Sequence, residues 1–431
     1  ELNGLGLTDG DILDLKYMVN LGYLNLDDNN LTDLSPLSGL TELEQINVMN
    51  NPDLTDLSPL AGLTELRVVN FYGCNVEDYS FMAGLTKLEH VQLYNVQEDT
   101  DLSFLSGLTN VKSISTNGNS SCISDLSFLS GMTGLQQLNL QVSSSLEELD
   151  LSFAANMTEL TQLQIYNSGQ SAASATDLTP LSGLTKLQIL SISADVKSLA
   201  PLAGLTELRS LDLFRTRNWN SSYFPLTDIS ALSGMTKLTA LYLPLGDVKD
   251  LSPISGLTSL TDLQLCGNFN CSDLQFLSGL TKLRALRINP YGAAVLTSLK
   301  GLENLTELRE LHINGPGNLT DVEPLANLTK LTQLSLPYQS NSEVLDLGGL
   351  SGLTKLQDLQ INCSVVSLEP LSGLTDLRSL QINGSWPYPV DDLEPLSGLE
   401  KLSSLQVSFV LEGTDQSPVA HVKNLNIQET T

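Results

Sequence analysis

One phrase, Gly-Leu-Thr-x-Leu, returns along the whole chain, as at Gly39-Leu40-Thr41, Gly62-Leu63-Thr64 and Gly183-Leu184-Thr185. Each copy runs into Leu-x-x-Leu-x-Leu, for example Leu208, Leu211 and Leu213, or Leu356, Leu359 and Ile361. The first residue of that run falls at 17 positions between Leu21 and Leu402, spaced 21 to 30 residues apart. Self-similarity at this period marks a repeat array, in which no unit buries its own apolar face and stacking neighbours build one continuous core. The x-Leu-x-Leu-x portion alternates with period two, the pattern of a short strand with one buried face. One strand per unit, each returning in the same sense, predicts a long parallel sheet.

Two further columns constrain the return path. Ten residues before each first leucine stands Asp in 14 of 17 units and Ser in the other three, Ser198, Ser298 and Ser367. Only side chains able to accept a hydrogen bond from nearby backbone amides occur there, as at a turn or cap. Four residues before the leucine, 16 of 17 units carry Gly or Asn. These residues tolerate positive φ best, so this column is expected to form a left-handed turn ending a short helix. Between the columns lies Ser-Pro-Leu in several units, with proline where a first helical turn needs no amide.

The run Leu21-Gly-Tyr-Leu24-Asn-Leu26-Asp-Asp-Asn29-Asn-Leu31-Thr-Asp33-Leu-Ser-Pro36-Leu37 resembles the leucine-rich repeat family, and within it the internalin-like bacterial surface proteins. The resemblance covers roughly residues 11 to 408. It implies an α/β fold: a right-handed leucine-rich-repeat solenoid of about 17 units, with a parallel β-sheet on the concave face and 3₁₀ or short helices and turns on the convex face. Residues 1–20 are expected to form an N-terminal capping segment, 21–408 the repeat domain, and 409–431 a C-terminal tail or partial cap. The family's inward asparagine is kept at Asn29 and Asn51 and is replaced by Cys74 and Val96. The resemblance also implies an extracellular location, secreted or attached to a bacterial surface. With no basic-then-apolar leader ahead of Glu1, any signal segment is expected to have been removed.

Charge narrows the partners. Against 49 Asp+Glu stand only 21 Lys+Arg, a formal net charge of −28. Such a surface repels nucleic acid, and no apolar run is long enough to insert in a membrane as a helix. Fourteen carboxylates belong to the capping column, which needs no metal to explain it. Five scattered cysteines, Cys74, Cys122, Cys266, Cys271 and Cys363, have no zinc-site spacing. Cys266 and Cys271 share one loop and could bridge if oxidised. The histidines His90, His312 and His421 are too far apart in sequence to converge. Glu310, His312 and Arg287 share a face, where a surface ion pair explains them better than acid–base chemistry. The expectation is no catalytic residue, no metal and no cofactor.

The strand residues two, four and six positions after each first leucine should face outward. Of these 51, 29 are Asn, Gln or Ser and six are charged: Asp27, Asp212, Asp262, Arg287, Glu310 and Asp358. Tyr23, Tyr72, Tyr94, Tyr166, Phe214 and Tyr242 add aromatic rings within the first ten units. The longest inter-strand insertion carries Arg215, Arg217 and Trp219. Aromatics and arginines supply much of the energy of protein interfaces. The expected ligand-binding residues are therefore Tyr94, Tyr166, Phe214, Arg215, Arg217, Trp219 and Tyr242. A host or bacterial protein is the preferred partner of a monomeric chain. A glycan is the alternative, and a structural spacer without a ligand is the third reading.

Overall fold

A computed structural model describes residues 1–117, 123–143, 146, 149–167, 176–214, 226–267, 271–290, 296–339, 344–384 and 388–430. They divide into two compact units, Glu1–Val196 with Leu213–Trp219, and Lys197–Asp212 with Asn220–Thr431. Each is a parallel sheet of short strands joined by 3₁₀ turns, the leucine-rich-repeat solenoid architecture.

Among the described residues, eight strands of the first unit run from Tyr23–Asn25 to Ile189–Ile192, and ten of the second run from Ser210–Asp212 to Asn424–Glu429, with a separate short pair, Pro316–Gly317 and Tyr338–Gln339. In each of the 17 repeats the strand begins two residues after the first leucine. Neighbours pair in register, so that Leu138 lies beside Leu163 and Leu163 beside Leu190. The leucine columns are buried almost completely, from Leu24 and Leu26 to Leu405 and Val407. An eighteenth strand, Asn424–Glu429, lies within the expected tail and pairs with Ser404–Val410. Its unit keeps Asp415, Ser417 and Pro418 but lacks the Gly-Leu-Thr triplet, which hides it from a search on that phrase. At the other end the amides of Leu2 and Gly4 donate to the carbonyls of Asn25 and Asp27, which satisfies the free edge of the first strand.

The acidic column works as a set of backbone caps. Asp33 accepts the amide of Ser35 at 2.8 Å, Asp56 that of Ser58 at 2.7 Å, and Asp78 that of Ser80 at 2.8 Å. The pattern continues to Asp392 and Asp415, and serine substitutes where it stands, with Ser198 accepting from Ala200 at 3.1 Å. Each bond satisfies the amide that enters the next 3₁₀ turn. Asp11 is the exception: it accepts from Thr8, closing a capping box in the nine-residue 3₁₀ helix Asp9–Tyr17. Inward, Asn51 takes a comparable role for the sheet edge. Its Oδ1 accepts from Leu31 at 3.0 Å and its Nδ2 donates to Leu26 and Val48. Cys74 keeps one donor of that set, its Sγ lying 3.0 Å from the Val48 carbonyl.

The glycine column departs from expectation. Of all its members only Gly131 has positive φ. The chain turns instead at the following leucine, where Leu85 (φ −86, ψ 60) and Leu108 (φ −91, ψ 69) sit in the inverse γ-turn region. The Thr64 amide accordingly donates to the Gly62 carbonyl two residues back, at 3.0 Å. Left-handed backbone occurs at the strand exit, seven residues after the first leucine, at Asp28, Asn50, Gly73 and Asn95. Those four residues are all of the types that tolerate it, whereas Phe409, at the same offset from Leu402, adopts φ 73 without being one of them.

The variable position of Gly-Leu-Thr-x-Leu pairs charges between adjacent repeats. Lys87 bonds Glu65, Lys186 lies 2.6 Å from Glu159, and Lys330 lies 2.6 Å from Glu307. Exposed pairs of this kind contribute about 0–1 kcal/mol each, so they favour correct neighbours more than they stabilise the fold.

Two glycines of one repeat separate the turn types. Gly62 has open space where a Cβ would lie and no positive φ, so Gly62→Ala is expected to leave stability unchanged or raise it by about 0.4–1 kcal/mol. Gly73 has φ +76, and a Cβ there would lie 2.4 Å from Asn50 Oδ1, so Gly73→Ala should cost about 1–2 kcal/mol. Denaturant titration of both variants checks the contrast.

The caps also set a pH dependence. Hydrogen bonds from Ser103 hold the Asp101 carboxyl below its ordinary range, and bonds from Ser80, Thr179 and Ser230 do the same for Asp78, Asp177 and Asp228. A folded-state value below the unfolded one stabilises the fold above the unfolded value, about pH 4, and the contribution disappears as pH falls below it. The melting temperature should therefore fall on the acid side. Asp101→Asn, which keeps an acceptor, should melt above Asp101→Ala at pH 7.

Candidate binding face

The strand positions two and four residues after each first leucine form the outward rows. Neighbouring strands repeat every ~4.8 Å, so the rows cross the strands at a fixed step. The position six residues on, also expected to face outward, is covered in some units and open in others, as at Tyr72 and Asn314. Asp27, Ser193, Cys266 and Asn289 are all at most 8% exposed, Asp27 and Ser193 just past the end of a short strand and Cys266 and Asn289 inside longer ones. Asp27 spends its carboxylate on the Met49 amide, at 2.7 Å.

This covering corrects the expectation for Tyr94. It is 5% exposed, with its ring edge-on to Phe71 at 5.1 Å and tilted against Tyr72 at 5.4 Å. Its hydroxyl donates to Gln92 and its carbonyl accepts from the buried Tyr79 hydroxyl, whose own pKa burial pushes up to about 12. Aromatic packing of this kind is worth more than exposure, so Tyr94 belongs to a core cluster and Tyr72 carries the open ring.

Tyr166 is half-buried at the end of the strand Gln162–Asn167, and its hydroxyl accepts from Gln164 Nε2 at 2.9 Å. Gln164 in turn accepts from Gln162, so three outward side chains are tied into one line along the strand. Three strand steps, about 14 Å, separate Tyr94 from Tyr166 in the first unit. Phe214 is half-buried, and Arg215, Arg217 and Trp219 lie outside the described residues.

Tyr242 stands in the second unit, in register between Asp212 and Gln264. Burial raises its pKa, the Asp262 charge adds to that, and Arg287 opposes it. Farther along the same row, Arg287 pairs with Glu310 at 2.5 Å, both about one-third exposed, and His312 is the register partner of Arg287. Burial, then the Arg287 charge, lowers the His312 pKa, while Glu310 and a hydrogen bond that the ring donates to Gln333 act the other way. The ion pair already occupies the carboxylate that acid–base chemistry would need.

Among the described residues no three His, Cys, Asp or Glu side chains converge as metal ligands. No described helix is long and apolar enough to cross a membrane. Cys266 and Cys271 are unbridged, and burial raises both thiols, to about 12 and about 11. The strand-tied amides of the outward rows were not legible in the sequence, although the Gln-x-Gln-x-Tyr spacing of residues 162 to 166 carries their signal.

A family model described as leucine-rich repeats, two copies, matches residues 19–62. An internalin (InlF) of Listeria monocytogenes superposes with TM-score 0.58 at 26% identity, over 74% of this chain and 87% of that one. A leucine-rich repeat protein of Leptospira interrogans gives TM-score 0.58 at 18% identity, over 90% of each chain. The functional domain of Listeria monocytogenes InlJ, which includes a cysteine ladder, gives 0.50 at 18% identity, over 93% of this chain and 70% of that one. No curated protein sequence matches.

Because the capping carboxylates are spent on backbone amides, a chelator such as EDTA should leave the melting temperature unchanged. A fall of several degrees in calorimetry would show that the column binds metal instead.

Proposed function

We propose that this chain, a leucine-rich repeat protein in sequence and fold, is an extracellular binding module of a secreted or surface-attached bacterial protein and engages a protein partner through its strand face. In this reading residues 1–20 cap the array, 21–408 carry the binding surface, and 409–431 close it. The observation that carries the proposal is a partly exposed strand aromatic in each unit, Tyr166 in the first and Tyr242 in the second, each held beside outward polar residues. A fixed sheet presents such side chains without ordering backbone at the moment of binding, which lowers the cost of association. The likeness to internalins supports an interaction role. Arg215, Arg217 and Trp219 would add anchors of the type enriched in hot spots. No catalytic step is proposed: among the described residues, the Glu310 carboxylate beside His312 on the face is paired with Arg287.

The test is affinity capture from extracellular protein extracts, followed by titration of the captured partner. Trp219→Ala combined with Tyr242→Ala should weaken binding by about 2 kcal/mol or more and leave the melting temperature unchanged. Gln406→Ala should have little effect. A footprint on the 3₁₀ turns, with the double variant binding like the parent, would refute the assignment.

A further inference from the structure

We propose that the strand face of the first unit between His90 and Ser191 is a docking platform for an uncharged polysaccharide chain lying across the strands. The proposal goes beyond the protein-binding reading and can fail without it.

The first observation is charge. In the eight strands of the first unit, none of the residues at the two outward positions is Asp, Glu, Lys or Arg, in a chain of net charge −28. The same positions in the second unit hold Asp212, Asp262, Arg287, Glu310 and Asp358. A face without ions offers nothing to a sulfate, phosphate or carboxylate, and nothing to a basic segment. It fits a ligand that is itself neutral.

The second is unspent hydrogen-bonding capacity. The side chains of Gln137, Asn139 and Gln141 make no hydrogen bond among the described residues, and all three are at least partly exposed. A side-chain amide offers two donors and an acceptor, which matches adjacent sugar hydroxyls that both give and receive. On the next strand the Gln162–Gln164–Tyr166 line fixes its amides in place, so a ligand meets them pre-oriented.

The third is spacing. Gln92, Ser115, Asn139 and Gln164 are partly exposed register partners on four consecutive strands, a row about 14 Å long that runs on to the buried Ser191. A pyranose in an extended chain is about as long as one strand step, so successive sugars would meet successive hydroxyl or amide groups. Tyr166 adds a half-exposed ring at the margin, apolar on its faces and polar at its tip. Tyr166 apart, the two outward rows offer a protein partner few of the aromatic, aliphatic or arginine anchors on which interface cores are built. Here Ile189 is the one aliphatic side chain in the two outward rows of the five strands.

The experiment is an array of linear neutral hexasaccharides of glucose, N-acetylglucosamine, mannose and galactose, with sulfated and uronate chains as charged controls. Calorimetric titration with the best-retained neutral hexasaccharide follows. The expected result is retention of a neutral chain with an affinity that does not change from low to high salt. Asn139→Ala with Gln164→Ala should lower that affinity by about tenfold or more, and Arg287→Ala should leave it unchanged. Asn139→Asp, which keeps the shape and removes the donor, should repeat part of the loss and guards against a folding artefact. Retention of charged chains only, or of none, overturns the proposal, as does parent-like binding by both variants. A protein partner whose footprint covers Asn139 and Gln164, with no sugar retained, would overturn it while sustaining the protein reading.

Discussion

Everything on the strand face depends on one local bond, the side-chain oxygen that accepts the amide entering each 3₁₀ turn. A solenoid unit must return its chain to the start of the next strand in register, and the return path leaves backbone amides without strand partners. Asp56 and Ser58, or Ser198 and Ala200, resolve this with two residues. Because the bond is short-range, units vary in length only on the other side of it, after the strand. The repeat can therefore range from 21 to 30 residues while the strands still start at the same offset from their leucines.

That division of labour has a functional consequence. Acidic residues are concentrated where they cap turns or pair with lysines of the next repeat, which frees the outward rows from carrying the charge that keeps the chain soluble. The first unit uses that freedom completely, and its rows are amides, hydroxyls, aromatics and small apolar residues. The second keeps an ionic group around Arg287 and Glu310, with Tyr242 half-buried nearby in the same row as Arg287. The two units thus present chemically distinct faces on one repeat scheme.

The scaffold was legible because its signals are local and repeated. The strand start, the buried leucines and the cap column each follow from residue types at fixed offsets, and repetition averages out exceptions such as Asp11. The turn was misread for a physical reason. Gly and Asn are permissive rather than directive, and at Gly62 nothing in the structure requires a glycine; the reversal is made by the leucine after it. The left-handed residues Asp28, Asn50, Gly73 and Asn95 showed their composition in sequence but sat in the part of the unit whose length varies. Exposure was harder still. Period two places Tyr94 outward, yet whether a third outward residue stays open depends on the side chains that pack on it, such as Phe71, which the period does not contain. The shortened last unit escaped because it lost the phrase that defined the others while keeping its cap at Asp415.

The claim that the acidic column is committed to backbone can be read most directly by carbon-detected NMR titration of the aspartate carboxyls in the folded chain. Asp78, Asp101, Asp177, Asp228, Asp250 and Asp415 should titrate below ordinary aspartates, each held down by amide and hydroxyl donors two residues ahead. Added calcium should leave those resonances where they are. Ordinary titration of these six, or a shift of the column on adding calcium, would contradict the account.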